Sequence, residues 1–98
     1  MLHMIVMNHG PDTCAAVNAE AGEMAREAQK QMNDIALKHQ VQIKGAWVNP
    51  PRHVFYVVAD APNAHVLIDL VTELRFFLWN TVDIQPVLTL EDAMKLSK

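Results

Sequence analysis

Residues 41–60, VQIKGAWVNPPRHVFYVVAD, constrain the fold more than any other part of this chain. They read as two strands joined around Pro50-Pro51, two residues that have no N–H to donate and so end the pairing. The later strand, residues 54–59, is apolar on both faces, and so is the strand near the start of the chain, residues 2–7. The earlier strand, residues 41–48, alternates instead. Val41, Ile43 and Trp47 fall on one side and Gln42 and Lys44 on the other, the pattern of an edge strand. A chain of 98 residues supplies few helices with which to cover a sheet twice. The face that they leave bare is expected to meet another subunit.

The rest of the chain supplies the missing elements. The first strand stops at His9-Gly10-Pro11, and the helix that follows has two suitable N-caps, Asp12 and Asn18. Over residues 19–39, Ala21, Met24, Ala25, Ala28, Met32, Ile35 and Ala36 form one apolar stripe at helical spacing. Glu23, Arg26, Glu27, Lys30, Asp34 and Lys38 make the opposite, solvated face. Asp60-Ala61-Pro62 reads as the start of a second helix, with Asp60 as its cap. That helix is expected to run to about Leu78 and to turn Leu67, Leu70, Val71, Leu74, Phe77 and Leu78 to the sheet. Ile68, Phe76 and Trp79 fall off this stripe and mark a contact flank. Residues 81–90 read as the last strand, with Val82, Ile84, Pro86 and Leu88 on one face, and residues 91–98 as a short helix.

The order βαββαβ with right-handed crossovers predicts an α+β, ferredoxin-like domain with an antiparallel 4-1-3-2 sheet. Its two central strands are then the two that are apolar on both faces. Residues 1–98 are expected to form a single domain, and a sheet-to-sheet homodimer is the simplest way to cover the bare face.

A formal charge of −3 argues against nucleic acid, which needs clustered Lys and Arg. One cysteine cannot form an internal disulfide, so no oxidising compartment is required. Asp69, Glu73 and Arg75 interrupt the best apolar run, so no membrane span is expected. The opening run, MLHMIVMNHG, lacks the basic start and the length of a leader. A cytoplasmic protein is the expectation.

Three blocks carry a resemblance: HGPDTC at residues 9–14, GAWVNPPRH at residues 45–53 and PVLTLEDA at residues 86–93. With them the chain resembles the dimeric α+β barrel superfamily, within a small family of unknown function. The resemblance implies a homodimer with a pocket between sheet and helices. Better-known branches include cofactor-free monooxygenases, haem-handling enzymes and muconolactone isomerases. Fold does not fix function, and the resemblance names no cofactor for this chain.

The candidate chemistry gathers at one end of the sheet. In the 4-1-3-2 order, His9 at the end of strand one lies beside His53 at the start of strand three. With His9 near His53, Met7 falls near Phe55 and Ile5 near Val57. Cys14 follows on the crossover at the same end, with Trp47, Asn80 and Thr81 nearby. His53 suits acid–base work, His9 supports it, and Cys14 beside a helix start is a candidate nucleophile or redox thiol. Met7, Trp47, Phe55 and Tyr56 would line a small-molecule pocket, with Arg52 to hold an anionic group. Two imidazoles and a thiol also form a transition-metal donor set. Three functions therefore stand side by side: a small-molecule-binding homodimer, with a cofactor-free oxygenase or isomerase as the enzyme form that the resemblance implies; a metal-binding protein using His9, Cys14 and His53; and an assembly module without activity.

Overall fold

A computed structural model describes residues 1–98. The elements run β1 (Leu2–Asn8), α1 (Ala19–Lys38), β2 (Gln42–Asn49), β3 (Val54–Asp60), α2 (Ala64–Glu73), β4 (Thr81–Pro86) and α3 (Leu90–Met94). Single 3-10 turns occupy Pro11–Thr13, Pro50–Arg52 and Phe76–Leu78. All strand pairs are antiparallel, and the sheet order is β2-β3-β1-β4, the ferredoxin-like α+β arrangement.

Side chains alternate across the sheet. His3, Ile5 and Met7 of β1 and Val57 and Ala59 of β3 are buried on the helix side. Ala21, Ala28 and Ala36 of α1 and Leu67, Leu70, Val71 and Leu74, in and just after α2, complete that core. The other face carries Leu2, Met4, Val6, Val54, Tyr56 and Val58, all partly exposed. Asn18 is the cap that α1 uses, its side chain accepting from Ala21 N–H at 2.9 Å. At the far end, Glu73 ties the two helices together, accepting from Lys38 at 3.0 Å and lying 2.7 Å from His39 Nε2.

Several sequence expectations need correction. Trp47 does not share a side with Val41 and Ile43. The β2–β3 register slips at Lys44, where one extra residue in β2 turns the rest of the strand over. Trp47 consequently pairs with Tyr56 on the open face, its indole folded over Gly45, where any Cβ would overlap the ring. Asp60 does not cap α2. It ends β3 and binds the Met1 ammonium at 2.9 Å, while Asn63 caps the helix by accepting from Val66 N–H.

The end of α2 differs more. Arg75 adopts the left-handed region (φ 64°), so the helical phase does not continue to Leu78. The turn that follows buries Phe76 and Trp79 and exposes Phe77 and Leu78, the reverse of the helical expectation. β4 stops at Pro86, and Leu88 is exposed rather than part of the sheet.

Candidate metal centre

β1 and β3 pair with Met7 opposite Phe55 and Ile5 opposite Val57, the register expected from the sequence. The ladder continues one step beyond the strands, His9 N–H donating to the His53 carbonyl at 3.2 Å. The two imidazoles therefore meet, with ring centroids 5.3 Å apart and planes inclined by 66°.

Each of the clustered side chains arrives on its own local device. His53 ends the Pro50–Arg52 turn in the left-handed region (φ 54°, ψ 45°), its N–H donating to the Pro50 carbonyl at 3.1 Å. That conformation costs a non-glycine residue on the order of 1–3 kcal/mol and persists only where the surroundings impose it. Cys14 sits on the turn between β1 and α1, its carbonyl accepting from Val17 and Asn18 N–H at 3.0 and 2.8 Å. Gly22 in the first turns of α1 lets that loop lie close, because a Cβ there would come within 2.9 Å of the Ala15 carbonyl oxygen. One donor atom from each of His9, Cys14 and His53 then lies within 4.8 Å of the others.

The hydrogen bonding at His9 identifies which nitrogen is free. Asn80 Nδ2 donates to the Phe76 carbonyl at 3.2 Å, which turns Oδ1 toward His9 Nδ1 at 3.1 Å. An amide oxygen only accepts, so Nδ1 carries the proton and Nε2 holds the lone pair. Nε2 is buried and has no protein partner, and the same is true of His53 Nδ1. A ring nitrogen held by a second residue while its opposite nitrogen faces other donors is the usual arrangement behind a metal ligand. Around His9 the walls are aromatic: Phe55 lies 5.6 Å and Trp79 5.2 Å away between ring centroids.

Ions with Zn–N near 2.0–2.1 Å and Zn–S near 2.3 Å hold their donors roughly 3.3–3.8 Å apart. Donor atoms already within 4.8 Å of one another approach that geometry. The donor set therefore fits a transition metal.

The five expected pocket residues do not share one wall. Met7 and Phe55 lie on the helix side, Trp47 and Tyr56 on the open face, and Arg52 is exposed on the turn. A separate groove of about 410 Å³ between α1 and the end of α2 shares no residue with the histidine cluster. Two residues of the site had no role assigned from the sequence. Asn80 was detectable as a polar residue opening the strand beside β1. Trp79, expected on a contact flank, gave no signal of its place in the site, because only the break at Arg75 turns it inward.

Residues 1–98 match the family described as a domain of unknown function, DUF3303. The chain belongs to that family. No curated protein matches it in sequence. No helix is long and apolar enough to cross a membrane. Membership of DUF3303 carries no assigned activity.

Proposed function

We propose that this chain is a cytoplasmic, homodimeric protein that binds one transition-metal ion per subunit through His9 Nε2, Cys14 Sγ and His53 Nδ1. The observation that carries this is that His9, Cys14 and His53 bring one donor atom each within 4.8 Å of one another, while His9 Nε2 and His53 Nδ1 are buried without partners. A buried polar atom left unpaired costs about 1–3 kcal/mol, and one ion relieves both. Imidazole with thiolate selects borderline and soft ions such as Zn²⁺ and copper over Mg²⁺ or Ca²⁺. Three protein ligands leave a coordination position open, as catalytic zinc sites do, and a small-molecule ligand would bind there, beside the aromatic rings of Phe55 and Trp79 that pack around His9. In this assignment His9, Cys14 and His53 act by holding the ion rather than as general base and nucleophile. A free thiol ligand suits a reducing compartment. The partly exposed apolar sheet face supports the homodimer, a dimeric α+β barrel closed sheet to sheet.

Titration of the metal-free protein with Co²⁺ tests the metal site. The expected result is one ion per chain, tetrahedral d–d bands and a thiolate-to-cobalt charge-transfer band that Cys14→Ser removes. A spectrum that Cys14→Ser leaves unchanged would sink the assignment. Saturating Zn²⁺, at about 100 times Kd, adds about 2.7 kcal/mol and should raise Tm by roughly 10 °C or more.

A further inference from the structure

Residues 87–98 leave the sheet where Val87 N–H donates to the Leu2 carbonyl at 3.0 Å. They carry α3, whose cap Thr89 accepts from Asp92 N–H. α3 makes no substantial contact with any other element. Leu88, Leu90, Met94 and Leu96 are 59, 79, 60 and 75% exposed. An isolated helix of one to two turns does not persist in water, so this one needs a surface to lie on.

The whole molecule shows a matching deficit. Its accessible surface is 6628 Å² for 11.0 kDa, where a compact monomer of that mass exposes roughly 5,600 Å². Its radius of gyration is 14.4 Å, against about 12.6 Å for a compact domain of this length. The excess of about 1,000 Å² is of the size that one partner buries in a stable interface, about 800 Å².

We infer that residues 87–98 form a clasp that crosses to a second copy of this chain and lays Leu90, Ala93 and Met94 against it. A second copy is the occupant because two apolar surfaces without a cover, the open sheet face and the clasp, lie on one chain. A two-fold interface needs such self-complementarity. The two surfaces also join. An apolar groove of about 210 Å³ at the root of the clasp is lined by Met1, Leu2, Pro86, Val87 and Leu88, and Leu2 belongs to the open face. The charges of the clasp, Glu91, Asp92, Lys95 and Lys98, balance, which does not suit an anionic membrane surface. The clasp rests on the homodimer proposed above.

Sedimentation of the full chain, with hydrogen exchange at several concentrations, tests it. The expected result is a dimer in which residues 90–96 are protected, and in which L90D/M94D raises the dimer Kd by 100-fold or more. Both substituted residues are exposed in the single chain, so its core and circular dichroism should stay intact. M4D/V58D on the open face serves as the control. If it splits the dimer while L90D/M94D leaves Kd unchanged, the clasp is wrong and the homodimer stands. A monomeric native chain overturns both. Protection of residues 90–96 in dilute, monomeric protein would place the clasp on its own chain and overturn it alone.

Discussion

β1 brings two histidines to the helix side of the sheet, His3 near its start and His9 just past its end, and the structure treats them differently. His3 is 1% exposed, its Nδ1 lies 3.1 Å from the Met1 carbonyl, and it belongs to no cluster of three donor side chains. His9 is less buried as a residue, yet its Nε2 is sealed from solvent and unpartnered, and the residue clusters with Cys14 and His53. Burial alone therefore does not mark a site. A lone pair fixed in place by a neighbour, sealed from solvent and accompanied by two further donor side chains, does.

The largest effect should come from removing one of the three proposed metal ligands. Cys14→Ser or His53→Ala should weaken Zn²⁺ binding by more than about 100-fold, above the range for outer-shell changes. His3→Ala should leave the metal Kd unchanged while costing about 2–4 kcal/mol through the cavity. Competition titration and urea unfolding measure the two quantities, and a loss of metal affinity in His3→Ala would erase the contrast between the two ends. Next comes the residue behind His9. Asn80→Ala should weaken binding by about 10–100-fold, whereas Asn80→Asp, which keeps an acceptor for the Nδ1 proton, should restore most of it.

A smaller effect is expected at Gly22. Gly22→Ala pushes against the Ala15 carbonyl and shifts the Cys14 loop, at a cost to affinity on the order of tenfold, with His3 undisturbed. The smallest is a pH effect that should bypass both histidines of β1. Hydrogen bonds from Lys38 and then His39 hold the Glu73 carboxyl below its ordinary value of 4.5. A lowered folded-state value means that this stabilisation is present above pH 4.5 and is lost as pH falls through the folded-state value. Glu73→Gln should therefore flatten the acid side of the stability–pH profile slightly and leave metal binding alone. Identical acid limbs for the two proteins would show that the contacts of Glu73 with Lys38 and His39 add nothing to stability.

The sheet and the three-residue cluster were legible for one reason. Two strands apolar on both faces must be central, which makes β1 and β3 neighbours and brings His9 to His53. What escaped depends on single residues that leave the pattern of hydrophobicity unchanged. One extra residue at Lys44 moved Trp47 to the other face, and one left-handed residue, Arg75, moved Trp79 from an expected contact flank into the wall of the site. The role of Asn80 rests on which way its amide points. The Phe76 carbonyl decides that, and a linear sequence does not encode it visibly.

The bulge at Lys44 has a practical consequence. It leaves the chain's two tryptophans on opposite faces of one sheet, Trp79 6% exposed beside the imidazoles and Trp47 61% exposed on the open side. Each is therefore an optical reporter for a different event. Cu²⁺ at the histidines should quench the emission of Trp79, and subunit association should shift that of Trp47 to the blue. In Trp47→Phe and Trp79→Phe proteins, fluorescence separates ion capture from assembly without any added label.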